Sequence, residues 1–258
     1  MSSLGGFCAM AVMAKAPRVG AVKTRLVPPL SEAEAAELSG CFIRDIADNI
    51  VAAARSTPIR GHIAYSPSGS EAAFRDLLPS SFRLLPPRHD GLGFGLADAA
   101  EDLLAAGYGS VCLVNADSPN LPTSILVEAA QALQPPGDRV VVGPAEDGGY
   151  YCIGLKRPHL RLFEAIDWST ARVFGQTLER ANEIGLEVVV LPTWYDVDDL
   201  ASLRRLANAL FGEPVNESRP AQFAAPHTAS FLRSLIGNGA SRRIGFGSTT
   251  ADGVSKKT

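Results

Sequence analysis

Two stretches of this chain hold charged side chains in patterns that suit phosphate chemistry. The first is Lys15 to Leu30, KAPRVGAVKTRLVPPL, which carries Lys15, Arg18, Lys23 and Arg25 and no acidic residue. Four cations without a counter-charge suit an anion, and phosphate is the natural guest; the plain alternative is a solvated basic loop, since the stretch is not a Walker A loop. The second is NADSPNLP, Asn115 to Pro122, in which Asp117 follows the apolar run VCLVNA. Pro119 and Pro122 fix the turn behind it. The Asp117 carboxylate is either a turn former or a ligand for Mg²⁺, which proteins hold with one or two carboxylates plus substrate phosphates.

Two further stretches carry acids. In GPAEDGGYYCIGL, Glu146 and Asp147 precede Gly148 and Gly149, which permit positive φ and close approach of backbone to a ligand. The same DGG is also a good hairpin turn. In WYDVDDL, Asp196, Asp198 and Asp199 stand where a strand gives way to a helix, so Asp198 is an N-cap candidate, while acids after three strands facing the same sheet edge as the basic loop suggest a metal-phosphate site. Weaker signals are GLGFG, with Gly91 and Gly93 as a flexible turn or a phosphate approach, and WST, with Trp168 as a packed ring or a substrate platform.

Other chemistries are disfavoured. His62, His89, His159 and His227 lack metal spacing, and no GxSxG elbow is present. Cys8, Cys41, Cys112 and Cys152 stand singly with no CxxC pair, which suits reduced thiols and a cytoplasmic location. A net charge of -3 gives no whole-chain attraction to nucleic acid or anionic lipid. The apolar run that includes Cys8 to Ala14 is too short to span a membrane, and no basic region precedes it as in a signal peptide.

The elements that must position these groups follow from the apolar pattern. β-prone runs at Phe7–Ala14, Ile59–Tyr65, Val111–Asn115, Val140–Gly143, Tyr150–Leu155 and Glu187–Leu191 are mostly separated by helical periodicity. That alternation predicts an α/β fold of three layers, with a mostly parallel central sheet covered on both faces. Ser31 and Glu34 form a capping box for a helix running to about Ala54. Further helices are expected at Leu96–Ala106, Ser124–Leu133, Ala171–Ile184, Asp199–Phe211 and about His227–Leu235. Ser169 or Thr170 and Asp198 are the candidate N-caps, and Gly185 the C-terminal glycine. Residues 1–236 read as one domain and 237–258 as a disordered tail poor in apolar anchors. A 16-residue connection after the first strand is long where such links take about 2–6 residues. It leaves the carboxyl edge of the sheet, where open α/β folds bind ligands.

In order along the chain, AKAPRVGAVKTRLVPPLS, NADSPNLP, GPAEDGGYYCIGL, IDWSTARV and DVDDLASL resemble the motifs of the DUF2064 family, within the glycosyltransferase A or nucleotide-diphospho-sugar transferase superfamily. The first block is also similar to the guanylyltransferases of cofactor F420 biosynthesis. The resemblance implies a Rossmann-like fold. It gives Lys23 and Arg25, with Lys15, Arg18, Gly91 and Gly93, to nucleotide phosphates, and Asp117 and Asp198 to Mg²⁺ or Mn²⁺. It places Asp147 against the acceptor or sugar, beside Glu146, Gly148, Gly149 and Trp168. Where the family usually has an arginine after its LG pair, this chain has Gly95. The implied activity is a Mg²⁺-dependent nucleotidyltransferase acting on a nucleoside triphosphate and a small phosphorylated acceptor, with Lys23, Arg25 and Asp147 catalytic. The alternatives are a glycosyltransferase using a nucleotide-diphospho-sugar, and a non-catalytic nucleotide binder. Many metal-dependent glycosyltransferases of this fold carry a D-x-D pair at the strand end; here its first position is Asn115, which favours nucleotidyl transfer.

Overall fold

The computed structural model describes residues 4–212, 220–237 and 241–244. Its first strand, β1 (Cys8–Lys15), alternates between two cores, because successive side chains of a strand point to opposite faces. Cys8, Met10, Val12 and Ala14 enter one core; Ala9 and Ala11 enter the other. Burial on both faces explains why this strand reads as one continuous apolar run.

The other strands are β2 (Ile59–Ser66), β3 (Arg83–Leu85), β4 (Ser110–Asn115), β5 (Arg139–Pro144), β6 (Tyr150–Leu155) and β7 (Glu187–Val190). The sheet runs β3-β2-β1-β4-β6-β5-β7. It is parallel except at β6, which lies antiparallel to both β4 and β5. The DGG stretch, a hairpin turn by its sequence, does lie in the turn of a β5–β6 hairpin. Helices α1 (Glu32–Ala53), α3 (Thr123–Ala132), α5 (Leu200–Phe211) and α6 (Pro226–Leu235) cover one face through residues such as Phe42, Ile125, Leu206 and Leu232. Helices α2 (Leu92–Ala105) and α4 (Val173–Glu183) cover the other through Leu96, Leu103 and Ala181. From β1 the chain proceeds to β2 on one side, and it returns through α2 to β4 on the other. The crevice at the carboxyl ends of β1 and β4 is thus a topological switch point, the place where such sheets bind ligands.

The capping box is formed: Ser31 Oγ accepts from Glu34 N at 3.2 Å, and Glu34 Oε2 accepts from Ser31 N at 2.7 Å. Three expectations are corrected. Helix α2 starts at Leu92, four residues early, so GLGFG is its first turn and not a flexible link. Asp199 and not Asp198 caps α5, accepting from Ser202 N at 2.8 Å, and Arg172 rather than Ser169 or Thr170 stands at the start of α4. Strand β3 was not anticipated, because three residues at an edge leave almost no periodic signal.

The expected tail falls largely outside the described residues. Within it, Ser241–Ile244 form a short helix, α7, with Ile244 buried in the core. Arg204 Nε donates to the Ile244 carbonyl at 2.7 Å, and Arg243 pairs with Glu34 at 2.8 Å. Ile244 gives that short helix an apolar anchor. Among the described residues, no helix is long and apolar enough to cross a membrane.

Helix α6 has no cap of its own, since Ala225 precedes it. Its first N–H groups instead meet Asp45 of α1, whose buried carboxylate accepts from His227 N at 2.9 Å and Thr228 N at 2.8 Å. Burial pushes the Asp45 carboxyl above its usual range, and these donors act against that rise. Replacing Asp45→Ala leaves two buried donors without partners, so urea unfolding should show a loss of about 2–3 kcal/mol. Asp45→Asn, which keeps an acceptor, should lose less.

Candidate active site at the carboxyl edge of the sheet

A cavity of about 980 Å³ opens at this edge. Its lining draws together residues from β1, the basic loop, the β4 end, the β5–β6 hairpin and the segment before α5. Lys23 is the centre of that assembly. It adopts a left-handed backbone, φ 49° and ψ 36°, just ahead of a short 3-10 turn anchored by the buried Leu26. That conformation costs of order 1 kcal/mol for a residue with a side chain, so it persists only where other contacts hold it.

Those contacts are three acceptors around one ammonium. Lys23 Nζ lies 2.8 Å from the Val197 carbonyl, 2.9 Å from Asp198 Oδ1 and 2.5 Å from Asp117 Oδ1. An ammonium has three protons, and here each has a partner. The Lys23 side chain is 6% exposed, whereas Asp117 and Asp198 are 41% and 42% exposed. The Phe42 ring packs below Nζ, 5.3 Å from centroid to nitrogen. Burial favours loss of the lysine proton, but the two carboxylates outweigh it and hold the pKa above its ordinary value. The ion pair therefore contributes fully below the ordinary lysine pKa and fades only as pH rises through the still higher folded value.

Beneath this cluster lies Asp196, a residue the sequence displayed without a role. Its Oδ1 accepts from Asn115 Nδ2 at 2.6 Å and from Ser118 Oγ at 2.8 Å. Burial pushes its carboxyl up to about 6, against the pull of those two donors. Asn115 Oδ1 in turn accepts from Asp117 N at 3.3 Å, and Val197 N donates to the Asp117 carbonyl at 2.9 Å. The β4 end and the segment before α5 are thereby laced together, which fixes where Asp117 and Asp198 stand. Asn115, the missing first acid of a D-x-D pair, is in this chain a fastener for Asp196.

Of the other sequence candidates, Lys15, Arg25, Gly91, Asp147, Gly149 and Trp168 line the cavity. Arg25 and Lys15 make no ion pair among the described residues. Gly91, at φ 103°, precedes α2 without any side-chain cap, leaving the first N–H groups of that helix at the cavity. Asp147 Oδ1 accepts from Gly149 N at 2.9 Å, which sets the tip of the hairpin.

Four candidates do not line it. Glu146 forms a two-bond pair with Arg205, at 2.5 and 2.9 Å, and Arg205 stacks 3.8 Å from the Tyr195 ring. Gly148 sits at φ 89° where a Cβ would lie 2.3 Å from the Ala171 carbonyl oxygen, so it serves the turn. Gly93 backs onto Trp168, whose Nε1 would be 2.4 Å from an added Cβ, and Arg18 is simply outside the cavity. Trp168 thus joins α2 to the β6–α4 loop, with Tyr150 edge-on at 6.4 Å. A Cβ on Gly95 would meet only Met13 Cε at 3.7 Å, an ordinary contact, so packing does not require glycine there. The sequence also gave no hint of Asp98, which lines the cavity and accepts from His89 N at 3.1 Å. That bond depends on how α2 docks.

Among the described residues, no three His, Cys, Asp or Glu side chains converge as a ready metal cage. Asp117 and Asp198 do converge on one cation, the Lys23 ammonium, while staying accessible. Two hard oxygen donors that rely on substrate phosphates to complete the shell are a donor set that fits Mg²⁺ or Mn²⁺.

Residues 49–170 match the model of the family DUF2064, described as an uncharacterized protein conserved in bacteria. No curated protein matches the chain. Among solved structures, a protein of Desulfovibrio desulfuricans G20, provisionally named a nucleotide-diphospho-sugar transferase, is 27% identical with a TM-score of 0.76; the match covers 92% of this chain and 97% of that one. The CMP:2-keto-3-deoxy-manno-octonic acid synthetase complexed with CTP is 12% identical with a TM-score of 0.51, over 78% and 96%. The 4-diphosphocytidyl-2C-methyl-D-erythritol synthase of Anaerococcus prevotii DSM 20548 is 9% identical with a TM-score of 0.50, over 77% and 95%. The last two share the fold alone. The chain therefore carries a DUF2064 sequence segment on the nucleotide-diphospho-sugar transferase fold.

Neutralising either carboxylate alone leaves Lys23 with one charged partner. Removing both leaves a buried ammonium with only the Val197 carbonyl. Asp117→Asn and Asp198→Asn should each cost less than about 2 kcal/mol in urea unfolding, and the double variant more than the sum, toward the roughly 3–5 kcal/mol typical of a buried charge stripped of its partners. Additive losses would mean that the two acids do not share the lysine.

Proposed function

We propose that the protein is a Mg²⁺-dependent nucleotidyltransferase that joins a nucleoside triphosphate to a small phosphorylated acceptor. The observation that carries this reading is the pair of accessible carboxylates, Asp117 and Asp198, set by Lys23 beside the unpaired cations Arg25 and Lys15. A triphosphate brings several negative charges to a cavity that already holds Asp117, Asp147 and Asp198. The reading gives Asp117 and Asp198 to Mg²⁺, or Mn²⁺, which when bound supplies the positive charge that lets phosphates approach those acids. The likeness to a provisionally named nucleotide-diphospho-sugar transferase supports transferase chemistry in general.

The chain's own residues would act by position and charge. Arg25 and Lys15 receive phosphate oxygens, and the uncapped first turn of α2 at Gly91 offers backbone N–H groups to an anion. An acceptor phosphate oxygen forms the new bond to the α-phosphorus while the bond to the bridging oxygen breaks, and pyrophosphate leaves beside Arg25. The acceptor is already anionic, so this route needs no general base, and Asp147 orients the acceptor. Lys23 serves first as the clamp on both acids; its three protons are taken, so contact with phosphate requires it to release one partner. The cysteines stand singly with no CxxC pair, which supports a cytoplasmic location.

Glycosyl transfer is the second reading, favoured by Trp168 and Asp147 lining the same cavity: an indole face for a sugar and a carboxylate as base. A nucleotide binder without turnover is the third, tied to Gly95.

The test incubates the protein with Mg²⁺, a panel of nucleoside triphosphates and nucleotide sugars, and phosphorylated acceptors. Acceptor-dependent pyrophosphate is expected. Nucleoside diphosphate with a glycosylated product overturns the proposal in favour of the second reading, and binding without product in favour of the third. In calorimetry, Arg25→Ala should weaken triphosphate binding by about tenfold, the worth of one charge-assisted bond. Asp117→Asn should remove most of the Mg²⁺ dependence of that binding.

A further inference from the structure

A second cavity, of about 320 Å³, lies toward the other end of α2 and is lined in part by Arg60, His62, Ser81, Arg83 and Tyr108. Gly91 and Leu92, which open α2, line the first cavity, and Tyr108 follows the last turn of the helix. Fourteen helical residues span about 20 Å, so the two cavities are separate. The volume of the second falls at the lower end of the range for small-molecule sites.

The charge around it is one-sided. No carboxylate is among its lining residues, and the guanidinium groups of Arg60 and Arg83 make no hydrogen bond or ion pair among the described residues. Arg60 stacks on the Phe7 ring at 4.5 Å, which restrains its long side chain in advance of any ligand. Register brings the other cation close, since Arg83 of β3 pairs with His62 of β2. His62 is buried, its Nε2 lies 3.0 Å from the Tyr108 hydroxyl, and its Nδ1 has no partner. The His62 ring borders the cavity and so reports on an occupant. Burial, with Arg83 nearby, pushes the imidazole down to about 4, so the ring is neutral at neutral pH.

We propose that this cavity binds the phosphate group of a small anion, with Arg60 and Arg83 supplying charge and Ser81 a neutral donor. Guanidinium groups match phosphate oxygens in shape as well as charge, which distinguishes this site from a general cationic surface. The proposal does not depend on the reaction at the first cavity. Guarding of the sheet edge accounts for Arg83 alone, because β3 is the edge strand and Arg60 lies one strand inward.

The test titrates the full chain with inorganic phosphate and with glycerol 3-phosphate at fixed ionic strength, following the His62 ring by NMR and heat by calorimetry. His62→Gln assigns the resonance. A saturable His62 shift is expected, with affinity falling at least tenfold in the Arg60→Gln, Arg83→Gln double variant while nucleotide binding at the first cavity stays within about twofold. Tighter binding of inorganic phosphate identifies the free ion as the ligand; tighter binding of glycerol 3-phosphate identifies a phosphomonoester. No saturable shift with either probe, or an equal affinity in the double variant, overturns the site. Should the double variant fail to fold, Arg83→Gln at the exposed edge gives the same comparison.

Discussion

One buried ammonium holds the candidate site in shape. Lys23 reaches from the loop after β1 to Asp117 at the end of β4 and to Asp198 before α5, and it accepts a left-handed backbone to do so. Two carboxylates brought this close repel each other, and the lysine turns that repulsion into a fixed separation. The long basic connection, unusual for its length, is explained by the same contact: the chain must travel out over the sheet edge and return before α1 begins at Glu32.

Around that clamp the cavity has two electrical sides. Asp117, Asp147, Asp196 and Asp198 make one side acidic, while Lys15, Arg25 and the start of α2 make the other receptive to anions. Burial keeps Asp196 reluctant to ionise, which limits the excess of negative charge near Asp117. A site so divided suits a ligand that brings both signs, a polyphosphate with a divalent cation, better than either alone. Glu146, which would have added a further charge to the acidic side, is diverted to Arg205 on the outer surface.

Helix α2 ties these features to the rest of the fold. Its first turn meets Trp168 through the cleft left by Gly93, its middle fills the core with Leu96 and Leu103, and its far end leads to Tyr108 at the second cavity. One rigid element thus borders both cavities, and the glycines at its start are there for different reasons. Gly91 supplies a positive φ, and Gly93 supplies room for an indole.

Local sequence determined the alternation of strands and helices, the capping box at Ser31 and the β5–β6 hairpin. Each of these rests on interactions within a few residues, where period, cap and turn are written directly in the text. It also brought Lys23, Asp117 and Asp198 forward as candidates, because charge at the carboxyl edge of a parallel sheet is legible from strand order alone. What it could not determine was who meets whom. The bond from Lys23 to Asp198 spans 175 positions, and that from Asn115 to Asp196 spans 81. Only the packed sheet decides that Lys23 faces two acids, that Asn115 fastens Asp196, that Glu146 turns outward and that Asp199, one residue beyond the expected cap, begins α5. The reason is range: propensity and capping act along the chain, whereas an ion pair forms between groups that the whole fold has placed within about 3 Å of each other.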